Sequence, residues 1–146
     1  MKQKEKINAI WVTNFDTKKI NLCEAYKGEN ILMIIYNNQC LGCTGRAIPI
    51  AYNFQKEFKT IKVIGIHTDF GNKKTSPQEI KDLFTSGEPP FPIYLDWDAS
   101  VFKQFEAEGT PQWVIITKEG TLYRSIFGSQ ENAENRLGYA LASLFG

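Results

Sequence analysis

Six consecutive apolar residues, Ile31-Leu32-Met33-Ile34-Ile35-Tyr36, leave no side for solvent, and a run this short reads as a strand buried on both faces, as in a parallel sheet. Just past its end stands Cys40-Leu41-Gly42-Cys43. From there Ala47, Ala51, Phe54 and Phe58 recur at helical spacing with Ile50 flanking them, an amphipathic helix of roughly four turns. Pro49 inside it is expected to produce a kink. Ile61 to His67 is the next strand, and strand, helix, strand in this order is a right-handed crossover between parallel strands. Their carboxyl ends then share the sheet edge where open parallel sheets place their sites. Two cysteines three apart across a first helical turn can close a small disulfide ring. The helix N-terminus offers unpaired N–H groups and positive dipole density to a thiolate at the first of them. Cys40 is therefore the expected nucleophile and Cys43 the resolving thiol of a redox dithiol.

The remaining elements follow from turn and cap signals. Residues 9–14 and 20–22 read as short extended segments around a polar turn at Asp16 to Lys19, an N-terminal hairpin. Ser76-Pro77-Gln78-Glu79 carries a capping box with proline at the first helical position, and Ile80, Leu83 and Phe84 are its expected buried face. Gly87 and the prolines at 89, 90 and 92 end that helix, and Ile93-Tyr94-Leu95 is a short strand. Asp98 is expected to cap a brief helix with Val101, Phe102 and Phe105 inward. Gly109-Thr110-Pro111 leads into a hairpin of Trp113 to Thr117 and Thr121 to Ile126 around Lys118-Glu119-Gly120. Ser129 can cap a last helix whose stripe is Ala133, Leu137, Ala140, Leu141 and Leu144. No repeat, linker or low-complexity tract divides the chain. One domain over residues 1–146 is expected, with Met1 to Lys6 a frayed end.

A formal charge of +1 with both signs interspersed gives no electrostatic reason for a nucleic-acid or membrane partner. The apolar stretch Ile7 to Val12 is interrupted by Asn8 and too short for a signal core, and no run approaches a membrane span. Three cysteines are an odd set that cannot form a structural disulfide framework, which fits a reducing compartment. A cytoplasmic protein is expected, or an extracytoplasmic one had a leader or anchor been removed.

In this order the motifs resemble the thioredoxin superfamily and, within it, the TlpA-like and ResA-like thiol-disulfide oxidoreductases. The resemblance runs over nearly the whole chain. It rests on the strand-terminal Cys-x-x-Cys, a strand ending Gly65-Ile66-His67-Thr68-Asp69-Phe70, an inserted segment ending Pro92-Ile93-Tyr94-Leu95-Asp96, Gly109-Thr110-Pro111 before a strand, and Lys118-Glu119-Gly120 in a hairpin turn. It implies an α/β thioredoxin-like fold, a central mixed sheet with helices on both faces and the N-terminal β-hairpin. For Pro111 it implies a cis peptide after Thr110, in a loop facing the dithiol, where the backbone of Thr110 pairs with an extended substrate. The chain departs from the family in three places. Gln39 stands where an aromatic residue often precedes the first cysteine, and the helix-kinking proline sits one residue late. Ile34 occupies the position of the buried acid of thioredoxins proper, so another group or water must take the proton from Cys43.

Two side chains are auxiliary candidates. His67 ends a strand neighbouring the one before the dithiol, and imidazole suits proton transfer near neutrality, although a strand-end histidine also serves as a loop anchor. Tyr36 can bring a hydroxyl beside the dithiol or simply pack. A metal site would need Cys23 and His67 to join the pair, and no metal is expected. Cys23 reads as a small buried or incidental side chain in a turn-like segment, Glu106 and Glu108 as solvated helix residues, and Trp113, beside Gln112, as a core or half-buried strand residue. In the reductive direction Cys40 forms a mixed disulfide with a protein substrate and Cys43 resolves it, after which a partner dithiol recharges the pair. No cofactor is expected, since no glycine-rich nucleotide motif is present. Leu41-Gly42 brings no cation, which suggests a moderately reducing dithiol. Two alternatives are a thioredoxin-fold peroxidase, although neither cysteine follows a Pro-x-x-x-Thr-x-x pattern, and a non-enzymatic module holding an extended peptide.

Overall fold

Residues 1–145 are described by the computed structural model. In chain order they form β1 (Trp11–Thr13), β2 (Lys19–Asn21), α1 (Leu22–Ala25), β3 (Asn30–Tyr36), α2 (Ile48–Glu57), β4 (Ile61–Thr68), α3 (Pro77–Lys81), β5 (Ile93–Asp96), α4 (Ser100–Gln104), β6 (Gln112–Ile116), β7 (Leu122–Phe127) and α5 (Glu131–Phe145). The seven strands make one open mixed sheet in the order β2-β1-β5-β4-β3-β6-β7. β3, β4 and β5 run parallel, with Tyr36 opposite His67 and His67 opposite Leu95, while β6 and β7 are antiparallel additions on one flank. β1 and β2 close the N-terminal hairpin on the other. Asn14 Oδ1 turns that hairpin by accepting the N–H groups of Asp16 and Lys18 at 3.0 and 2.9 Å.

The continuous apolar run is buried on both faces because its side chains alternate between two cores. Leu32, Ile34 and Tyr36 pack with α2, α3 and α5, whereas Ile31, Met33 and Ile35 pack with α1 and α4. Helices therefore cover both faces of the sheet. Among the described residues no helix is long and apolar enough to cross a membrane.

Several local expectations are corrected. Pro49 does not kink the middle of a helix but sits in the first turn of α2, after a π-helical turn over Cys43–Ala47. There the Ile48 N–H reaches back five residues to the Cys43 carbonyl, and the widened turn makes room for a proline ring with no N–H to donate. The strand expected at 20–22 ends at Asn21, whose side chain accepts the Cys23 N–H at 3.1 Å and starts α1, so Cys23 lies in a helical turn. Leu83 lies beyond the five-residue α3 and is 49% exposed, so only Ile80 is fully buried on that face. The brief helix α4 is held mainly by Asp96 rather than Asp98. Asp96 Oδ1 accepts the Val101 N–H at 3.0 Å and Oδ2 the Phe102 N–H at 3.2 Å, while Asp98 takes only Ser100. Residues 1–6 lie along the β6–β7 hairpin. Lys4 N–H donates to the Leu122 carbonyl at 2.7 Å, Leu122 N–H to the Glu5 carbonyl at 3.0 Å, and Lys6 bridges Thr121. The segment thereby covers part of an edge strand that would otherwise present unpaired backbone groups.

Candidate functional site

The carboxyl ends of β3 and β4 meet at a polar loop. Asn37 organises it: Oδ1 accepts the Gln39 N–H at 2.7 Å, Nδ2 donates to the Thr68 carbonyl at 2.8 Å, and the backbone carbonyl accepts the Cys40 N–H at 3.0 Å. The Cys40 carbonyl in turn accepts the N–H groups of Cys43 and Thr44 at 3.1 and 3.2 Å, which begins the helical run. Cys40 is half-buried at the rim and Cys43 lies fully buried beneath it, both as free thiols. Leu41 between them is 87% exposed, an apolar side chain held out to whatever approaches Cys40. Gly42 lies close to the last helix, where a Cβ would stand 2.7 Å from Ser129 Oγ and would turn that hydroxyl aside.

The loop before β6 closes the site from the opposite side, seventy residues along the chain. The Thr110–Pro111 peptide is cis, and Cys40 Sγ donates to the Thr110 carbonyl at 3.5 Å. The Pro111 carbonyl accepts the Gly128 N–H at 2.9 Å, and the Gly128 carbonyl accepts the Trp113 indole N–H at 2.8 Å. The hairpin core and the loop facing Cys40 are thus one hydrogen-bonded unit.

The two thiols are separated electrostatically. Burial raises the Cys40 pKa, but hydrogen bonds from the Cys43 and Thr110 side chains and the Cys43 and Gly42 backbone outweigh it and hold the thiol below its ordinary 9.0. Burial, reinforced by the Cys40 side chain, pushes Cys43 up to about 12. Burial also raises Cys23. At any given pH Cys40 therefore carries a larger thiolate fraction than Cys43. Iodoacetamide at about pH 7 should therefore carboxamidomethylate Cys40 at least about tenfold faster than either other cysteine, since thiolate fraction sets the rate. Peptide mass mapping reads this directly, and equal labelling of Cys40 and Cys43 would contradict the assignment.

Tyr36 and His67 also reach this corner, their rings edge to face with centroids 5.2 Å apart. Both are buried. The Tyr36 hydroxyl has no hydrogen-bond partner, and burial with the nearby Cys43 charge raises its pKa further, so it stays a donor behind Cys43. Among the described residues, no hydrogen bond joins His67 to either thiol. Its Nε2 accepts the Asn38 N–H at 3.0 Å. Ile34, at the position of the missing acid, is fully buried. Cys23 donates to the Ile7 carbonyl at 3.6 Å and belongs to the core on the opposite face of the sheet. Among the described residues no group of three or more His, Cys, Asp or Glu side chains is placed to hold a metal. Trp113 is core, Gln112 is buried and bonds Ser125 and the Glu108 N–H, and Glu106 pairs with the N-terminal ammonium. Reading the sequence missed Asn37 and Asn38 as site residues. Their signal was local, since an asparagine after a buried strand is a natural turn former.

The sequence pattern of the AhpC/TSA family matches residues 4–125. Comparison with curated proteins brings no match. Among solved structures, one described as a candidate thiol:disulfide interchange protein DsbE from Chlorobium tepidum is similar with a TM-score of 0.83 at 14% identity, over 100% of this chain and 99% of that one. A thiol-disulfide isomerase from Corynebacterium glutamicum is similar with a TM-score of 0.78 at 21% identity, over 97% and 96%. An exposed lipoprotein thioredoxin from Streptococcus pneumoniae is similar with a TM-score of 0.73 at 19% identity, over 94% and 100%. At these identities the likeness is one of fold, and the fold is thioredoxin-like.

Proposed function

This chain belongs to the AhpC/TSA family, and on that premise we propose that it is a thiol-disulfide oxidoreductase whose dithiol is Cys40 and Cys43. The observation that carries the reading is the opposition of Cys40 Sγ and the Thr110 carbonyl above a buried, high-pKa Cys43. The Cys40 thiolate attacks one sulfur of a protein disulfide. A Cys40–substrate bond forms as the substrate S–S bond breaks, and the departing sulfur takes up a proton. Cys43 then gives up its proton and attacks Cys40 Sγ. The mixed disulfide breaks, its electron pair leaves on the second substrate sulfur, and that sulfur also takes up a proton. The substrate gains two electrons and two protons, and the Cys40–Cys43 disulfide waits for a partner dithiol to reduce it.

Thr110 and Pro111 serve the substrate in this reading. Pro111 has no N–H to compete, so the backbone of Thr110 is what an extended peptide pairs with beside Cys40. The exposed Leu41 side chain adds apolar contact. The names of the pneumococcal exposed lipoprotein and of a similar secreted disulfide oxidoreductase from Mycobacterium tuberculosis support an extracytoplasmic location over the cytoplasmic one expected above. The Leu41-Gly42 pair brings no activating cation, which keeps the assignment on the reducing side.

Equilibrium titration against glutathione and a lower-potential dithiol buffer, with thiols counted by mass-tagged alkylation, tests this. The expected result is a reversible two-electron transition near the thioredoxin value of roughly −270 mV. A potential near that of strong oxidants, roughly −120 mV, would overturn the reducing direction. A pair that never closes reversibly would overturn the oxidoreductase reading itself.

A further inference from the structure

The loop that presents Cys40 is fastened to the end of β4 by the Asn37 side chain on the Thr68 carbonyl, at 2.8 Å, and by the Asn38 N–H on His67 Nε2, at 3.0 Å. The same loop reaches both thiols. The Asn37 carbonyl receives the Cys40 N–H at 3.0 Å, and the Asn37 backbone N–H favours the Cys43 thiolate. A displacement at Asn38 is therefore felt at nucleophile and resolving thiol together, and a shift of about 1 Å at a reacting group can alter rates by about a hundredfold.

The imidazole is 1% exposed, yet it lines a cleft of about 500 Å³ that runs from Asn37, Asn38 and Gln39 to Asp69, Lys73 and Glu79. An acceptor at Nε2 puts the single proton of the neutral ring on Nδ1. Nδ1 is buried without a hydrogen-bond partner and faces Asp69 Oδ1 at 3.8 Å. Asp69 is itself held in place, with Oδ1 and Oδ2 accepting the Thr75 hydroxyl and N–H at 2.7 and 2.8 Å. The other groups around the ring are the neutral Tyr36 of β3 edge to face, Leu95 beside it on β5, Glu79 of α3, and Lys73 of the loop before α3. A second proton would put an Nε2–H against the Asn38 N–H, donor against donor, while strengthening the attraction of Nδ1–H to Asp69.

From this geometry we infer that His67 is a positioning residue for Cys40: its neutral Nδ1–H form holds the Asn37–Gln39 loop through the Asn38 N–H, and taking up a second proton releases that loop. The inference rests on the oxidoreductase reading only in that the loop carries the nucleophile. Burial depresses the His67 pKa below its ordinary 6.5, and the nearby Asp69 carboxylate only partly restores it. A depressed histidine pKa means that folding favours the neutral ring. The anchored state is complete above the ordinary value and is lost as pH falls through the lowered one.

Imidazole ¹⁵N shifts and the Asn38 amide shift, followed through a pH titration of the reduced protein, are the first test. The expected result is the Nδ1–H tautomer at neutral pH, with the Asn38 amide moving at the His67 midpoint below 6.5. An Nε2–H tautomer, or an Asn38 amide that ignores His67, overturns the inference. Cys40 alkylation rates supply the second. His67→Gln keeps an acceptor near the place of Nε2 but cannot titrate, so it should stay within about twofold of wild type at neutral pH and lose the acid inflection expected of wild type. His67→Phe removes the acceptor, leaves the Asn38 N–H without its partner and should slow alkylation about tenfold, within what misplacing a reacting group costs. A folded Phe variant with the wild-type profile overturns the inference, and if it does not fold, the Gln variant and the wild-type titration decide. A Cys40–Cys43 pair that fails to close reversibly would sink the oxidoreductase reading and leave all of these readouts interpretable.

Discussion

Cys40→Ser is expected to abolish the proposed disulfide reduction, by at least about three orders of magnitude, the scale on which loss of a nucleophile acts. Cys43→Ser instead stops the reaction halfway. A serine hydroxyl can still donate to Cys40 where the Cys43 thiol did, and the hydrogen bonds from the Thr110 side chain and the backbone of residues 42 and 43 remain, so the first attack is expected to proceed and a covalent Cys40–substrate disulfide to accumulate. A serine hydroxyl cannot displace it. The asymmetry follows from the stacking of the two thiols, since the rim cysteine is open to an approaching substrate and Cys43 is fully buried. A peptide disulfide substrate, thiol release and non-reducing gel analysis read both variants. Residual turnover in Cys40→Ser, or mixed disulfide formed through Cys43 rather than Cys40, would refute the assignment of roles.

Trp113→Ala is the most damaging single change expected for stability, at about 3–5 kcal/mol, the range for removing a large aromatic from a close-packed core. Trp113 is 1% exposed in β6, opposite Ile34 of β3 on one side and Ile126 of β7 on the other. Its indole N–H also satisfies the Gly128 carbonyl at 2.8 Å, so the alanine variant leaves a cavity and a carbonyl without its partner. Total stabilities of such domains are about 5–15 kcal/mol, so this one contact region carries about a fifth or more of the margin. Trp113→Phe separates the two effects, keeping most of the ring volume and losing only the hydrogen bond. Urea unfolding gives both values. A Trp113→Ala loss under about 1 kcal/mol would mean that the site collapses around the change instead of keeping a void. Because Gly128 also holds Pro111, Trp113→Ala is further expected to loosen the loop facing Cys40.

What could be read from the chain alone is what depends on near neighbours. Residues 31–36 declared a strand covered on both faces by being apolar throughout, Ser76 and Glu79 form the capping box their spacing announces, and two cysteines three apart at a helix start are held together by the backbone itself. The order of motifs was enough for the thioredoxin-like sheet with its N-terminal hairpin. Even the asparagines of the loop carried a local sign, as turn formers after a buried strand.

Folding alone decided the contacts made across the sheet. Asp96 rather than Asp98 holds α4, because a carboxylate at the end of β5 can reach N–H groups five and six residues ahead once the chain has turned back over it. Residues 4–6 pair with the β6–β7 hairpin because its edge is open to them. Thr110 faces Cys40 across seventy residues, and His67 grips the loop before it because parallel register sets Tyr36 beside His67. Residue spacing along a helix or turn is dictated by bond geometry and so is written into the sequence. Which distant groups meet, and therefore which thiol loses its proton first, depends on packing and desolvation that exist only after the sheet has closed.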